Sequence, residues 1–200
     1  MCVCFSLIVQ PHELEEELGI GTVPPEFLPA ASFYPGNGIP VLIKRDELEL
    51  DYFYWGLIPS WASDIKIARS TFNARSETLN EKPSFRNAFR RRRCLIPSSG
   101  FYEIDRKSEL KRHFFITIEN QPVFTFAGLW DHWMDKEGNE IFSATMITCP
   151  ANDAVGKIHD RMPVILAKED RDFWLEDHTP AELQSVLLPY EAELTRLTPL

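Results

Sequence analysis

Six runs of strand-forming residues between positions 39 and 149 constrain this 200-residue chain more than any other feature. They are IPVLIK (39–44), LDYFYWGLI (50–58), CLIPSSGFYEI (94–104, broken near Pro97), RHFFITIE (112–119), PVFTFAGLW (122–130) and IFSATMITC (141–149). Each is rich in Phe, Tyr, Ile, Val or Thr with partial period-two alternation, the pattern of a half-buried strand. Helical signals lie between and outside these runs. PHELEEEL stops at Gly19, FRNAFRRRR has Ser84 as its cap, and Thr179-Pro180-Ala181-Glu182 is a capping box opening AELQSVLL. Residues 20–38, with Pro24, Pro25, Pro29, Pro35, Gly36 and Gly38, read as an irregular surface loop. The pattern predicts an α+β fold: a strongly curved, mainly antiparallel sheet or open barrel with helices packed around it. A chain of this length can bury a real core in one domain, so residues 1–200 are expected to form a single unit. Strand order does not follow from the pattern.

No stretch approaches the roughly 18 apolar residues of a membrane span. MCVCFSLIVQ runs straight into HELEEEL without the basic-then-apolar order of a secretion signal, so a cytoplasmic or nucleoid-associated location is expected. The four cysteines (Cys2, Cys4, Cys94, Cys149) show no paired CxxC spacing. Reduced thiols are therefore the default, and a zinc site or disulfide framework is not expected. Net charge is −9, yet Lys66 to Arg93 carries nine basic residues against Glu77 and Glu81. That window is +7 and the remainder −16. A local basic patch on an acidic protein can bind phosphates while the rest of the surface discourages indiscriminate association. For Arg90 to Arg93 the alternative is a solvated helix face.

The second residue is Cys. Aminopeptidases remove an initiator Met before a small side chain, and loss of Met1 would leave Cys2 as a 1,2-aminothiol. Its amine can condense with an aldehyde to a Schiff base, and its thiol can then close a thiazolidine. Free amines and thiols titrate close enough to neutrality for useful fractions of both to be deprotonated. The alternative is that Cys2 merely follows the start codon.

Four further segments combine polar groups with turn residues. In WGLIPSW (55–61) an exposed Trp could stack on nucleobases, although Trp55 reads better as core. In FNARSET (72–78), Asn73 and Arg75 share a face if the segment is extended, and an amide beside a guanidinium suits a sugar oxygen next to a phosphate. In SSGFYEI (98–104), Glu103 follows two aromatics and suits a general acid, or else a strand carboxylate paired with an arginine. In IHDRMPVIL (158–166), His159 can shuttle protons and Arg161 can hold a phosphate.

Together, Met1-Cys2, WGLIPSWA, NARSET, EKPSFRNAFRRRRCLIPSSGFYE, FAGLWDHW, TCPAN and IHDRMPVIL resemble the SRAP family (SOS-response-associated peptidase domain) from residue 1 to about 175. The resemblance implies a barrel-like sheet, a basic groove for single-stranded DNA, and an N-terminal Cys that captures abasic sites as a thiazolidine crosslink. It assigns Cys2 as nucleophile and Asn73 as the group orienting the sugar and amine. Glu103 becomes the acid/base and His159 the proton carrier. Arg75 and Arg161 would grip phosphates and Trp61 would stack near the lesion. No cofactor or metal is needed, the partner is single-stranded DNA with abasic sites, no membrane is involved, and a monomer is expected. Four positions depart from the family pattern: Val3 and Cys4 replace Gly-Arg, Ile104 replaces a Trp, and Arg69 fills a place where a second stacking aromatic is usual. Two rival functions are a thiol peptidase using Cys2 and His159, whose action could be as narrow as release of Met1, and a non-catalytic nucleic-acid module.

Overall fold

The structure, a computed structural model, describes residues 2–200. In chain order its strands are β1 (Phe5–Leu7), β2 (Ala30–Phe33), β3 (Gly38–Lys44), β4 (Leu48–Trp55), β5 (Asn73–Arg75), β6 (Arg93–Ser98), β7 (Gly100–Ile104), β8 (His113–Ile118), β9 (Phe124–Met134), β10 (Glu140–Pro150), β11 (Arg161–Pro163), β12 (Ile165–Leu166) and β13 (Thr195–Pro199). The α-helices are α1 (Pro11–Leu18), α2 (Arg86–Arg91), α3 (Asp170–Leu175) and α4 (Pro180–Ser185). Among the described residues, no helix is long and apolar enough to cross a membrane.

The long strand runs build a barrel. β4 pairs with β3, β3 with β6, β6 with β9 and β9 with β10, all antiparallel. β10 then meets β4 in parallel at Ser143↔Tyr54 and Ala144↔Trp55, which closes a five-stranded ring. The α+β class and the curved, mainly antiparallel sheet are thus as expected, with the curl carried to closure. Large side chains drive it: Phe5, Trp55 and Phe126 meet in the core with ring centroids 5.2 and 5.9 Å apart around Phe5. Each such buried aromatic contributes on the order of 2–3 kcal/mol of hydrophobic stabilisation before entropy is counted. β6 is buried at every position because elements cover it on both faces. A second sheet, ordered β13-β8-β7-β1-β2, packs beside the barrel.

Several local expectations shift. The 94–104 run is broken near Pro97 as expected, but at Ser99: Pro97 itself stays within β6 opposite Thr125, and the chain then passes into β7 of the other sheet. Ser98 Oγ fixes that junction by donating toward the Ser6 and Gly100 carbonyls at 3.1 and 3.0 Å. Ser84 is not the cap of α2, whose N-cap is Phe85 with no side-chain bond. The loop over 20–38 contains strand β2, paired to β1. α1 ends as expected at Gly19, whose φ of 66° is left-handed and whose N–H reaches the Glu15 carbonyl. The Thr179 box is also formed, the Thr179 amide donating to Glu182 Oε2 at 2.8 Å, but α4 stops at Ser185 rather than running to Leu188.

Candidate functional site

The N-terminal segment runs antiparallel to β7. Phe5 lies opposite Phe101, and the Tyr102 amide donates to the Cys4 carbonyl at 2.9 Å. Extended backbone puts alternate side chains on opposite faces, so Cys2 and Cys4 turn inward and Val3 outward. Cys2 is 1% exposed. Its carbonyl accepts a 2.7 Å hydrogen bond from Asn73 Nδ2, and its Sγ donates to the Cys4 carbonyl at 3.4 Å. Asn73 reaches this position because β5 lies parallel on β10, with Asn73 in register with Met146. Glu103, on β7, is 4% exposed, and its Oε1 accepts from the Ile104 amide at 3.2 Å.

Burial pushes the Cys2 thiol well above its ordinary range; the hydrogen bond at Cys4 opposes this and the Glu103 charge adds to it. The expectation of a partly ionised thiol is therefore corrected: desolvation disfavours the thiolate and the sulfur is held as S–H. The expected loss of Met1 concerns a residue outside those described.

His159 is buried. Its Nδ1 lies 3.0 Å from both the amide and the carbonyl of Arg161 and 3.4 Å from Asp160 Oδ1, so the following two residues hold the ring. The Arg106 amide donates to the Ile158 carbonyl at 2.9 Å, tying the chain three residues beyond Glu103 to the residue before His159. Cys2 and Asn73 are thus hydrogen-bonded, the Glu103 charge lies close enough to act on the Cys2 thiol, and the chain beyond Glu103 is tied by main chain to the residue before His159.

Arg75 and Arg161 sit on the two strands that flank the end of β10. Arg75 is in register with Thr148 and is exposed, while Arg161 is in register with Pro150. The Arg161 guanidinium is already engaged. It forms a two-pronged ion pair with Glu77, one prong Nη2–Oε2 at 3.0 Å, and donates to the Thr148 carbonyl at 2.7 Å. Glu77 lay in the NARSET segment, but nothing in its spacing marked it as the partner of a residue 84 positions away.

Trp61 is 55% exposed in the loop after β4, so its indole is open to a stacking partner. Trp55 is core, as its alternative reading had it, with Nε1 donating to the Phe72 carbonyl at 2.7 Å. The basic window is not one surface. Arg93 is buried and donates to the carbonyls of Trp174 (2.7 Å), Phe89 (3.0 Å) and Glu176 (2.8 Å), a structural role. Arg92 pairs with Asp131 at 3.0 Å, and Arg90 bonds Asn80. Three positions that depart from the family pattern, Val3, Cys4 and Ile104, converge on one cavity of about 510 Å³ that Glu103 also lines.

The chain matches the family model described as SOS response associated peptidase (SRAP) over residues 1–200. It is 38% identical over 205 residues to the abasic site processing protein YoqW of Bacillus subtilis, covering 96% of this chain and 89% of that protein. It is 30% identical over 172 residues to the abasic site processing protein HMCES of Xenopus tropicalis, covering 70% of this chain and about half (51%) of that protein. A crystal structure of a Bacteroides thetaiotaomicron protein superposes with a TM-score of 0.90 at 28% identity, covering 99% of this chain and 91% of that one.

Proposed function

Because the chain belongs to the SOS response associated peptidase (SRAP) family, we propose that it binds single-stranded DNA and crosslinks covalently to abasic sites through Cys2. The observation that carries this reading is the buried cluster in which Asn73 grips the Cys2 carbonyl beside the Glu103 carboxyl. Removal of Met1 frees the Cys2 α-amine. An abasic deoxyribose equilibrates between a closed hemiacetal and an open aldehyde, and Glu103 with His159 moves the protons of ring opening. The amine adds to the aldehyde carbon, and loss of water gives the Schiff base. The Cys2 sulfur then adds to that imine carbon while its proton passes to the nitrogen, closing the thiazolidine. One water leaves overall, and no oxidant or cofactor is consumed. Asn73 orients the Cys2 main chain, Arg75 and Arg161 hold flanking phosphates, and Trp61 stacks on a nearby base.

In this order of steps the amine acts first and the sulfur second, whereas a thiol peptidase would use the sulfur as its first nucleophile. The test is a denaturing gel of Met1-free protein mixed with abasic single-stranded DNA. The parent is expected to give a heat-stable band of combined mass. Cys2→Ala is expected to give only an adduct that requires borohydride trapping. Undiminished heat-stable crosslinking by Cys2→Ala would remove the thiazolidine.

A further inference from the structure

The 510 Å³ cavity beside the reactive cluster has a role that the crosslinking chemistry does not use. Its volume lies in the range of small-molecule sites, and its lining is mostly apolar with a few polar groups, the usual composition of such sites. Val3, Cys4 and Ile104, which depart from the family pattern, are among its lining residues. Two tyrosine rings line it as well, and both are held in place. Tyr102 donates from its hydroxyl to the Ala31 carbonyl at 3.3 Å and packs on Phe115 with centroids 4.8 Å apart. Tyr34, 51% exposed, is held by its amide, which donates to Asn37 Oδ1 at 2.9 Å. Arg106 and His113 are exposed and also border the cavity, placing positive or donor groups at its mouth.

We propose that this cavity is a nucleobase pocket that receives the unpaired base next to the lesion, stacked against the Tyr34 and Tyr102 rings. Fixed aromatic faces over an apolar space suit a planar heterocycle, because every base offers a π-face while its edge still needs polar partners. Glu103 lines the same cavity, so the occupant is a near neighbour of the reacting sugar. A base turned into it draws the lesion toward Cys2, and Arg106 is placed to meet the adjoining phosphate. A purine, with the larger π-face, stacks on such rings more strongly than a pyrimidine. The inference rests on the single-stranded DNA reading given above and adds to it a dependence on the neighbouring nucleotide.

Its test separates binding from crosslinking. Single-stranded oligonucleotides carry a central tetrahydrofuran, an abasic analogue with no aldehyde. The nucleotide on one side of it, then on the other, is adenine, thymine or a further tetrahydrofuran. For the parent protein, restoring adenine on one side should tighten binding about tenfold over the spacer, the effect of one stacked base. Thymine should give a smaller gain. In Tyr34→Ala, which removes one ring, and in Ser32→Trp, which fills the cavity from β2, the ratio of base to spacer affinity should fall toward one. Equal affinity for base and spacer on both sides in the parent would overturn the pocket. So would an unchanged ratio in both variants, or competition by a short apolar peptide without any base effect. Crosslinking to true abasic DNA is scored in parallel. A base effect without crosslinking removes only the covalent reading, and crosslinking without a base effect removes only the pocket.

Discussion

Replacing Glu77 by Gln should tighten the binding of intact single-stranded DNA. Arg161 can hold a phosphate with its full fork only if Glu77 lets go, since the carboxylate occupies both outer nitrogens. The pair is half open to water: the Arg161 side chain is 13% exposed and the Glu77 side chain 46%. A pair of that kind contributes about 1 kcal/mol. Its removal should therefore improve affinity about three- to fivefold. The Thr148 carbonyl, 2.7 Å from Nη2, keeps the guanidinium aligned after the exchange. The salt dependence should also steepen, by up to about 0.7 in the slope of log affinity against log salt, because no carboxylate is left to recruit a cation when the phosphate arrives.

The pH behaviour has a definite sign. The Arg161 hydrogen bond holds the Glu77 carboxyl below the ordinary glutamate range. A depressed folded value makes the pair's contribution fully present above the unfolded pKa of about 4.3, and it is lost only as pH falls through the lower folded value. From pH 5 to 8 the advantage of the Gln variant should stay constant. Fluorescence anisotropy with an unmodified oligonucleotide, over a salt series and at several pH values, measures all of this. Weaker binding by Glu77→Gln would refute the reasoning and make Glu77 a positioning residue for Arg161.

Two further substitutions divide structure from recognition. Arg93→Ala strips three main-chain carbonyls of their donor in a buried setting and should cost on the order of 3 kcal/mol in thermal or urea unfolding, whereas Arg75→Ala should leave unfolding nearly unchanged and weaken DNA binding. DNA affinity lost by folded Arg93→Ala as severely as by Arg75→Ala would place Arg93 in the interface after all. Gly56→Ala should destabilise by about 2–3 kcal/mol, because Gly56 has φ of 142° and a Cβ there would stand 2.7 Å from the Ala68 carbonyl oxygen. A melting temperature within a degree of the parent would show that the 56–68 turn yields easily.

Strands were legible where side-chain pattern alone decides them, as in β3, β8 and β10. The short strands β1, β5, β11 and β12 are two or three residues long and owe their conformation to partners elsewhere, so they carry no periodic signal of their own. The same distinction runs through the site. Cys2, Asn73, Glu103 and His159 are proposed from residue chemistry and family pattern. The ionisation of the Cys2 thiol was misjudged because burial is a property of the assembled barrel. The four adjacent arginines from Arg90 to Arg93 looked equivalent in sequence, and only packing against Trp174 and Asp131 sorts them into anchor, ion pair and surface charge.

The seat of Cys2 is assembled from segments made at very different times. Its carbonyl is held by Asn73 and its neighbour Cys4 by Tyr102, residues about 70 and 100 positions later in the chain. At about 5–20 residues per second, on the order of 10 s of synthesis separates the emergence of the N-terminus from that of β7. If Met1 is removed as proposed, the aminothiol would spend that interval as an ordinary accessible group, open to any small aldehyde in the surrounding fluid. Completion of the fold ends this vulnerability by withdrawing the sulfur from solvent. A cell rich in reactive carbonyl compounds would therefore cap a share of each new batch of chains before it could act, and the fraction lost would depend on translation speed as well as on aldehyde concentration.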